Sequence, residues 1–138
     1  MTGLLPADGR QTAGILLLSL LAVEYGGIFL ARVVGGQKAQ TPIQQAFHRA
    51  GHAHAGVLVV LGLVCQLLLP STTLDGVLRT VARSGVPLAA ILMPAGFFLS
   101  VTGAGTERPN RLIALVWIGA ACLGAGVLTL GIGLLTAG

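Results

Sequence analysis

Residues 13–34 read AGILLLSLLAVEYGGIFLARVV, an almost uninterrupted apolar run with one acidic and one basic side chain. As an α-helix, about 22 residues rising 1.5 Å each extend about 33 Å, enough to cross a hydrocarbon core of about 30 Å. A cleaved signal peptide is the alternative, but its apolar region is shorter and uniformly apolar, unlike a run that holds Glu24. The run therefore predicts a retained membrane span.

Three more apolar runs follow, at residues 43–69, 85–103 and 111–136. The chain of 138 residues is 54% hydrophobic and 9% charged, whereas soluble domains carry about 25% charged residues. No internal repeat or long linker divides the chain. The sequence predicts an all-α fold: a polytopic membrane protein built as a four-transmembrane-helix bundle, with a single membrane domain over residues 1–138.

The connector between the second and third runs has a pattern of its own. Across residues 71–84, apolar side chains recur at helical spacing with Asp75, Arg79 and Arg83 among them. This pattern predicts a short amphipathic helix that lies on the membrane surface between spans 2 and 3.

The cationic residues stand at or near the ends of the apolar runs: Arg10, Arg32, Lys38, Arg49, Arg79, Arg83, Arg108 and Arg111. This placement is typical of anchors that flank a bilayer and argues against a nucleic-acid partner. Four spans put both termini on one side, and the opposite side carries more of the cations. The positive-inside rule then favours cytoplasmic connectors and both termini outside. We expect a multi-pass protein of a prokaryotic-type plasma membrane.

All three histidines lie in the segment FHRAGHAH at residues 47–54, in the polar first half of the second run. His48 and His52 are four residues apart, so on a helix they share one face. His54 lies about 200° round the helix from His52, at 100° per residue. All three could meet one ion only if the helix were interrupted here or if a partner chain supplied further ligands.

Glu24 is a second candidate site residue besides the histidines. An ionisable residue in mid-span costs about 2.5–3.5 kcal/mol on insertion scales and normally faces a partner. Counted from the shared connector, Glu24 is as deep in the first span as His52 and His54 are in the second. This depth match predicts a site of Glu24, His48 and His52, with His54 as the alternative ligand. Further intramembrane polar residues could extend it: Tyr25, Arg49 and Gln66.

This cluster has three interpretations. Imidazole and carboxylate are suitable ligands for a transition metal or haem iron, which predicts a small, non-catalytic or accessory metal- or haem-binding protein. The same groups could form a proton-linked relay in a small transporter or channel subunit. A histidine that donates to Glu24 could instead fix helix register in a structural subunit of a membrane complex. The pattern assigns no catalytic residue.

The fourth run carries small residues that suit close helix packing in lipid: Gly119, Gly124, Gly126, Gly131 and Gly133. They predict packing against a neighbouring helix, in a homo-oligomer or a larger membrane complex. Cys65 and Cys122 stand alone within apolar runs, where a thiol behaves as a small apolar group.

The string His52-Ala53-His54, entering a span and followed by Leu58, Leu61 and Gly62, resembles the HAH segment of small bacterial membrane proteins similar to subunit I of haem-copper oxidases. The resemblance covers about 15 to 20 residues and implies that a histidine here is a haem or metal ligand. The chain departs from that family in Gly56 and in its low aromatic content. It has no histidine outside residues 48–54, so a haem with two histidine ligands would need a second copy.

Overall fold

The computed structural model describes residues 5–138, so the first four residues of the predicted domain lie outside the description. Four long helices follow one another: α1 (Ala7–Val34), α2 (Pro42–Leu68), α3 (Gly76–Leu99) and α4 (Ala114–Leu135). Short 3₁₀ turns extend α2 and precede α4. Over residues 5–138 the secondary structure contains no strand, and all four helices are long and apolar enough to span a membrane. The all-α, four-helix prediction is confirmed.

The predicted surface helix over residues 71–84 does not form as a separate element, because α3 starts at Gly76 and continues without interruption to Leu99. Pro87 lies inside this helix and cannot donate a hydrogen bond to the carbonyl four residues earlier, which is that of Arg83. The side chain of Gln66 on α2 donates to this carbonyl instead, with Nε2 2.9 Å from the oxygen. A contact from another helix thus replaces the bond that Pro87 removes.

The closest helix packing is between α3 and α4. A Cβ atom on Gly85 would lie 2.7 Å from Cα of Gly126, so the two backbones touch. Gly119 and Gly133, each seven residues from Gly126, face Met93 and Leu74 in the same way. This glycine face therefore serves a neighbour within the chain, whereas Gly124 and Gly131 face open space. Association of α4 with a further chain stays a prediction.

Polar contacts fasten both ends of the bundle. At one end, Thr41 and Gln44 form a capping box that starts α2. Gln44 Nε2 also donates to the carbonyls of Val101 and Gly103, at 3.0 and 2.8 Å. At the other end, Arg83 of α3 pairs with Asp8 of α1. Between these ends α1 packs on α2 and barely touches α3, which leaves a gap beside α1.

Candidate functional site

His52 lies between α2 and α1, against two consecutive glycines. A Cβ atom on Gly26 would be 3.4 Å from Nδ1 of His52, and one on Gly27 would be 3.3 Å from its Cε1. Larger residues would push the imidazole away, so this pair of glycines forms a slot for it. Within residues 5–138 the ring has no hydrogen-bond partner, although neutral imidazole carries one donor and one acceptor.

His48 is engaged within the chain. Its Nδ1 donates to Oε1 of Gln40 at 3.0 Å. The ring lies between two phenylalanines, with centroid distances of 5.6 Å to Phe29 of α1 and 5.5 Å to Phe98 of α3. His48 therefore contributes to packing where three helices meet, near the start of α2.

His54 faces the other side of α2, as its angular separation from His52 predicts. Its Nδ1 donates to the carbonyl of Ala50 at 2.8 Å, and its ring lies 5.0 Å from that of Phe97 on α3. Phe97 also packs against Phe47. The chain's four phenylalanines therefore all belong to one aromatic layer with His48 and His54. Sequence reasoning missed this layer, although Phe97 and Phe98 lie in the last third of the third apolar run.

Glu24 and its neighbour Tyr25 point away from the histidines. Glu24 is exposed, and the Tyr25 side chain is 72% exposed. Arg49 is exposed as well. Gln66, by contrast, is 1% exposed and supports α3 through the Arg83 carbonyl, so it belongs to the framework of the bundle.

The four predicted ligands therefore do not converge. His52 faces α1, His54 faces α3, His48 is bonded to Gln40, and Glu24 is exposed. Among the described residues there is no group of three or more His, Cys, Asp or Glu side chains that could hold a metal ion. The expected depth is nearly right, since Gly26 and Gly27 beside His52 are within one turn of Glu24, but Glu24 presents a different face.

A groove with a volume of about 380 Å³ lies between α1, α2 and α3. Small residues give it room: Ala22 and Gly26 from α1, Ala55 from α2 and Ala90 from α3. Two of its lining residues, Ile15 of α1 and Ile91 of α3, are 60% and 65% exposed. Sequence reasoning missed this groove, although the spacing of Thr12, Ser19, Ala22 and Gly26 on one face of α1 could have indicated it.

Three polar side chains line the groove: Thr12, Ser19 and His52. The hydroxyls of Thr12 and Ser19 donate to backbone carbonyls of their own helix, at 3.1 and 2.7 Å. His52 is the polar lining residue, within the described chain, that has no such partner. It is therefore the group available to a bound molecule.

The groove runs lengthwise beside α1. From Thr12 to Gly26 the helix rises about 21 Å, at 1.5 Å per residue. His52 lies ten residues after Pro42, about 15 Å along α2 from its first residue, so it is near the middle of that helix. The opposite end of the groove lies next to the Asp8–Arg83 pair. A molecule lying in the groove would extend from the middle of the bundle towards the end that holds the Asp8–Arg83 pair.

Comparison with family models, curated proteins and solved structures gave no match to this chain. Four apolar helices make it a small, multi-pass integral membrane protein.

Proposed function

We propose that this membrane protein binds a neutral, elongated lipid in the groove beside α1. The bound molecule carries a carbonyl or hydroxyl head on an apolar tail, and His52 holds the head by a hydrogen bond. The observation that carries this proposal is the position of His52: an imidazole without an internal partner in a mostly apolar groove.

The dimensions and lining of the groove support a small-molecule site. Its volume of about 380 Å³ falls in the range of about 300–1,000 Å³ that is typical of ligand pockets. Such pockets are mostly apolar and contain a few polar groups that fix orientation. The slot at Gly26 and Gly27 supplies that fixed orientation, because it holds one face of the His52 ring.

The depth of His52 selects the type of head group. Phospholipid heads are charged and stay at the membrane surface, whereas His52 is about 15 Å from the start of α2. A quinone carbonyl or an isoprenoid hydroxyl is neutral and can enter the hydrocarbon region at lower cost. The tail would then occupy the part of the groove that leads towards Thr12.

Equilibrium binding of decylubiquinone to the protein in lipid nanodiscs tests the proposal. His52→Phe keeps an aromatic ring but loses the hydrogen bond, so the dissociation constant should rise about tenfold, for about 1.4 kcal/mol. Ala22→Leu should also weaken binding, because Ala22 lines the groove. Its matched control is Ala53→Leu, at an exposed alanine of α2 that does not line the groove. Equal affinity in all four proteins would overturn the proposal.

A second candidate function is haem or transition-metal binding through His54. Its Nδ1 donates to the Ala50 carbonyl, and this arrangement commonly orients a metal-ligating imidazole, since Nε2 then keeps its lone pair. Further ligands would have to come from a second copy. Metal analysis and a visible spectrum of the purified protein, compared with His54→Ala, test this. No metal and no Soret band in the wild-type protein would rule it out.

A further inference from the structure

The side of α1 that faces away from the groove carries a regular stripe, which we name the outer seam: Gly14, Leu17, Leu21, Glu24, Ile28 and Ala31. Successive members are three or four residues apart in alternation, which is the spacing of a heptad seam. The large apolar members are exposed, with Leu17 at 55%, Leu21 at 65% and Ile28 at 49%.

The outer seam is separate from the surfaces that the chain already uses. At 100° per residue it is centred about 170° round the helix from Ser19, which lines the groove. Gly14 is at one end of the seam, and a Cβ atom added to it would meet no atom within 4 Å. Ala31, at the other end, is exposed. Small residues at both ends allow another helix to approach closely.

Glu24 occupies the middle of this seam. It lies ten residues before Val34, about 15 Å from the end of α1, so its carboxyl group is deep in the bilayer. Within residues 5–138 no side chain pairs with it: the ion pair present there joins Arg83 to Asp8. Ionisable groups at such depth nearly always face a protein partner or water, so the outer seam needs an occupant.

We propose that a second copy of this chain covers the outer seam, with the two α1 helices parallel. In a heptad seam each side chain inserts into a hole formed by four residues of the facing helix. For Glu24 those four residues are Leu21, Glu24, Tyr25 and Ile28 of the second copy. The carboxyl groups meet at the two-fold axis, where the acid form both donates and accepts, and each Tyr25 hydroxyl donates to the opposite carboxyl.

Self-association is favoured over another protein because the seam is complementary to itself. A two-fold interface brings the same patch from both chains together. With the two α1 helices parallel, Glu24 of one copy therefore lies at the same depth as Glu24 of the other. The donor Tyr25 and the acceptor Glu24 are also adjacent in sequence and both exposed. A single buried polar residue in an apolar seam is a well-attested way to fix register and oligomeric state.

Disulfide cross-linking in native membranes tests the geometry, in a background that carries Cys65→Ala and Cys122→Ala. Leu21→Cys and Ile28→Cys lie on the outer seam, and Ile15→Cys, which is 60% exposed on the groove side, is the matched control. We expect the two seam variants to form dimers at least about ten times faster than the control. Equal rates would overturn the proposal, as would faster cross-linking through Gly124→Cys on α4 or to a different protein.

Energy transfer between labelled chains, measured as the lipid is diluted, tests the role of the polar pair. Glu24→Leu and Tyr25→Phe should each raise the dimer dissociation constant by about 3-fold to 30-fold, the effect of losing interhelical hydrogen bonds in lipid. Glu24→Gln keeps a donor and an acceptor, so its dimer should stay within about 3-fold of wild type. A Glu24→Leu dimer as tight as wild type would overturn the proposal.

Discussion

The hydrogen bond from Gln66 to the Arg83 carbonyl should stabilise the protein only because Pro87 is present. The perturbation is Gln66→Leu, which keeps the approximate side-chain volume at a position that is 1% exposed. It removes the Nε2 donor that lies 2.9 Å from the carbonyl oxygen of Arg83. With Pro87 four residues later, this carbonyl then has no donor within its own helix.

The size of the effect follows from two opposing contributions. A buried acceptor without a partner costs about 1–3 kcal/mol. The same substitution also removes Oε1 of Gln66, a buried oxygen that has no partner among the described residues. Removing this unpaired oxygen is favourable, so it offsets part of the loss of stability. We expect Gln66→Leu to lower the free energy of unfolding by about 1–2 kcal/mol, near the upper end of side-chain hydrogen bonds measured in membrane proteins.

Pro87→Ala provides the control, because an alanine at this position regains an N–H that can donate to the Arg83 carbonyl. In that background Gln66→Leu should cost close to nothing, so a double-mutant cycle should give a coupling energy of about 1 kcal/mol. Reversible unfolding in mixed micelles, followed by far-UV circular dichroism, measures all four proteins. If Gln66→Leu costs the same with and without Pro87, Gln66 does not compensate for the proline and the reasoning is wrong.

Two further predictions concern the framework. Gly126→Leu should lower the free energy of unfolding by about 3 kcal/mol or more, because its Cβ would lie 3.0 Å from Cα of Gly85 and overpacking forces backbones apart. Gly124→Leu, which faces open space, should change it by less than about 0.5 kcal/mol, and comparable losses in thermal unfolding would contradict the packing. Gln44→Leu removes two donated hydrogen bonds and the one accepted from the Thr41 N–H, so it should cost about 2–4 kcal/mol. Gln45→Leu, at an exposed position with one long bond of 3.4 Å, should cost under about 1 kcal/mol, and a similar loss in both would refute this.

The number of helices and their approximate limits could be predicted because hydropathy and length are local properties of the sequence. The depth relation between α1 and α2 could be predicted to about one turn, because a short connector fixes how far each helix extends from it. The rotation of α1 about its axis could not be predicted, since it depends on which of its residues are small enough to admit a side chain of α2. Gly26 and Gly27 admit the His52 ring, and this contact leaves Glu24 on the outside.

That α3 continues from Gly76 to Leu99 without a break could not be predicted either, because it also depends on a contact with another helix. Pro87 and the charged residues before it indicate a boundary, and the contact that keeps the helix continuous comes from Gln66, 17 residues before Arg83 in the chain. Which glycines of α4 share one face could be predicted, because Gly119, Gly126 and Gly133 recur every seven residues. That period marks one face of a helix, but only the structure shows that α3 fills it.

The exposure of Ile15 and Ile91, which both line the groove, bears on how a molecule could reach His52. Both side chains are largely exposed and belong to helices that are long and apolar enough to span a membrane, so this side of the groove faces the hydrocarbon layer. A molecule that uses it arrives by lateral diffusion within the bilayer and never has to leave the membrane. Its occupancy then follows its mole fraction among the lipids, and affinities measured at different lipid-to-protein ratios become comparable only on that scale.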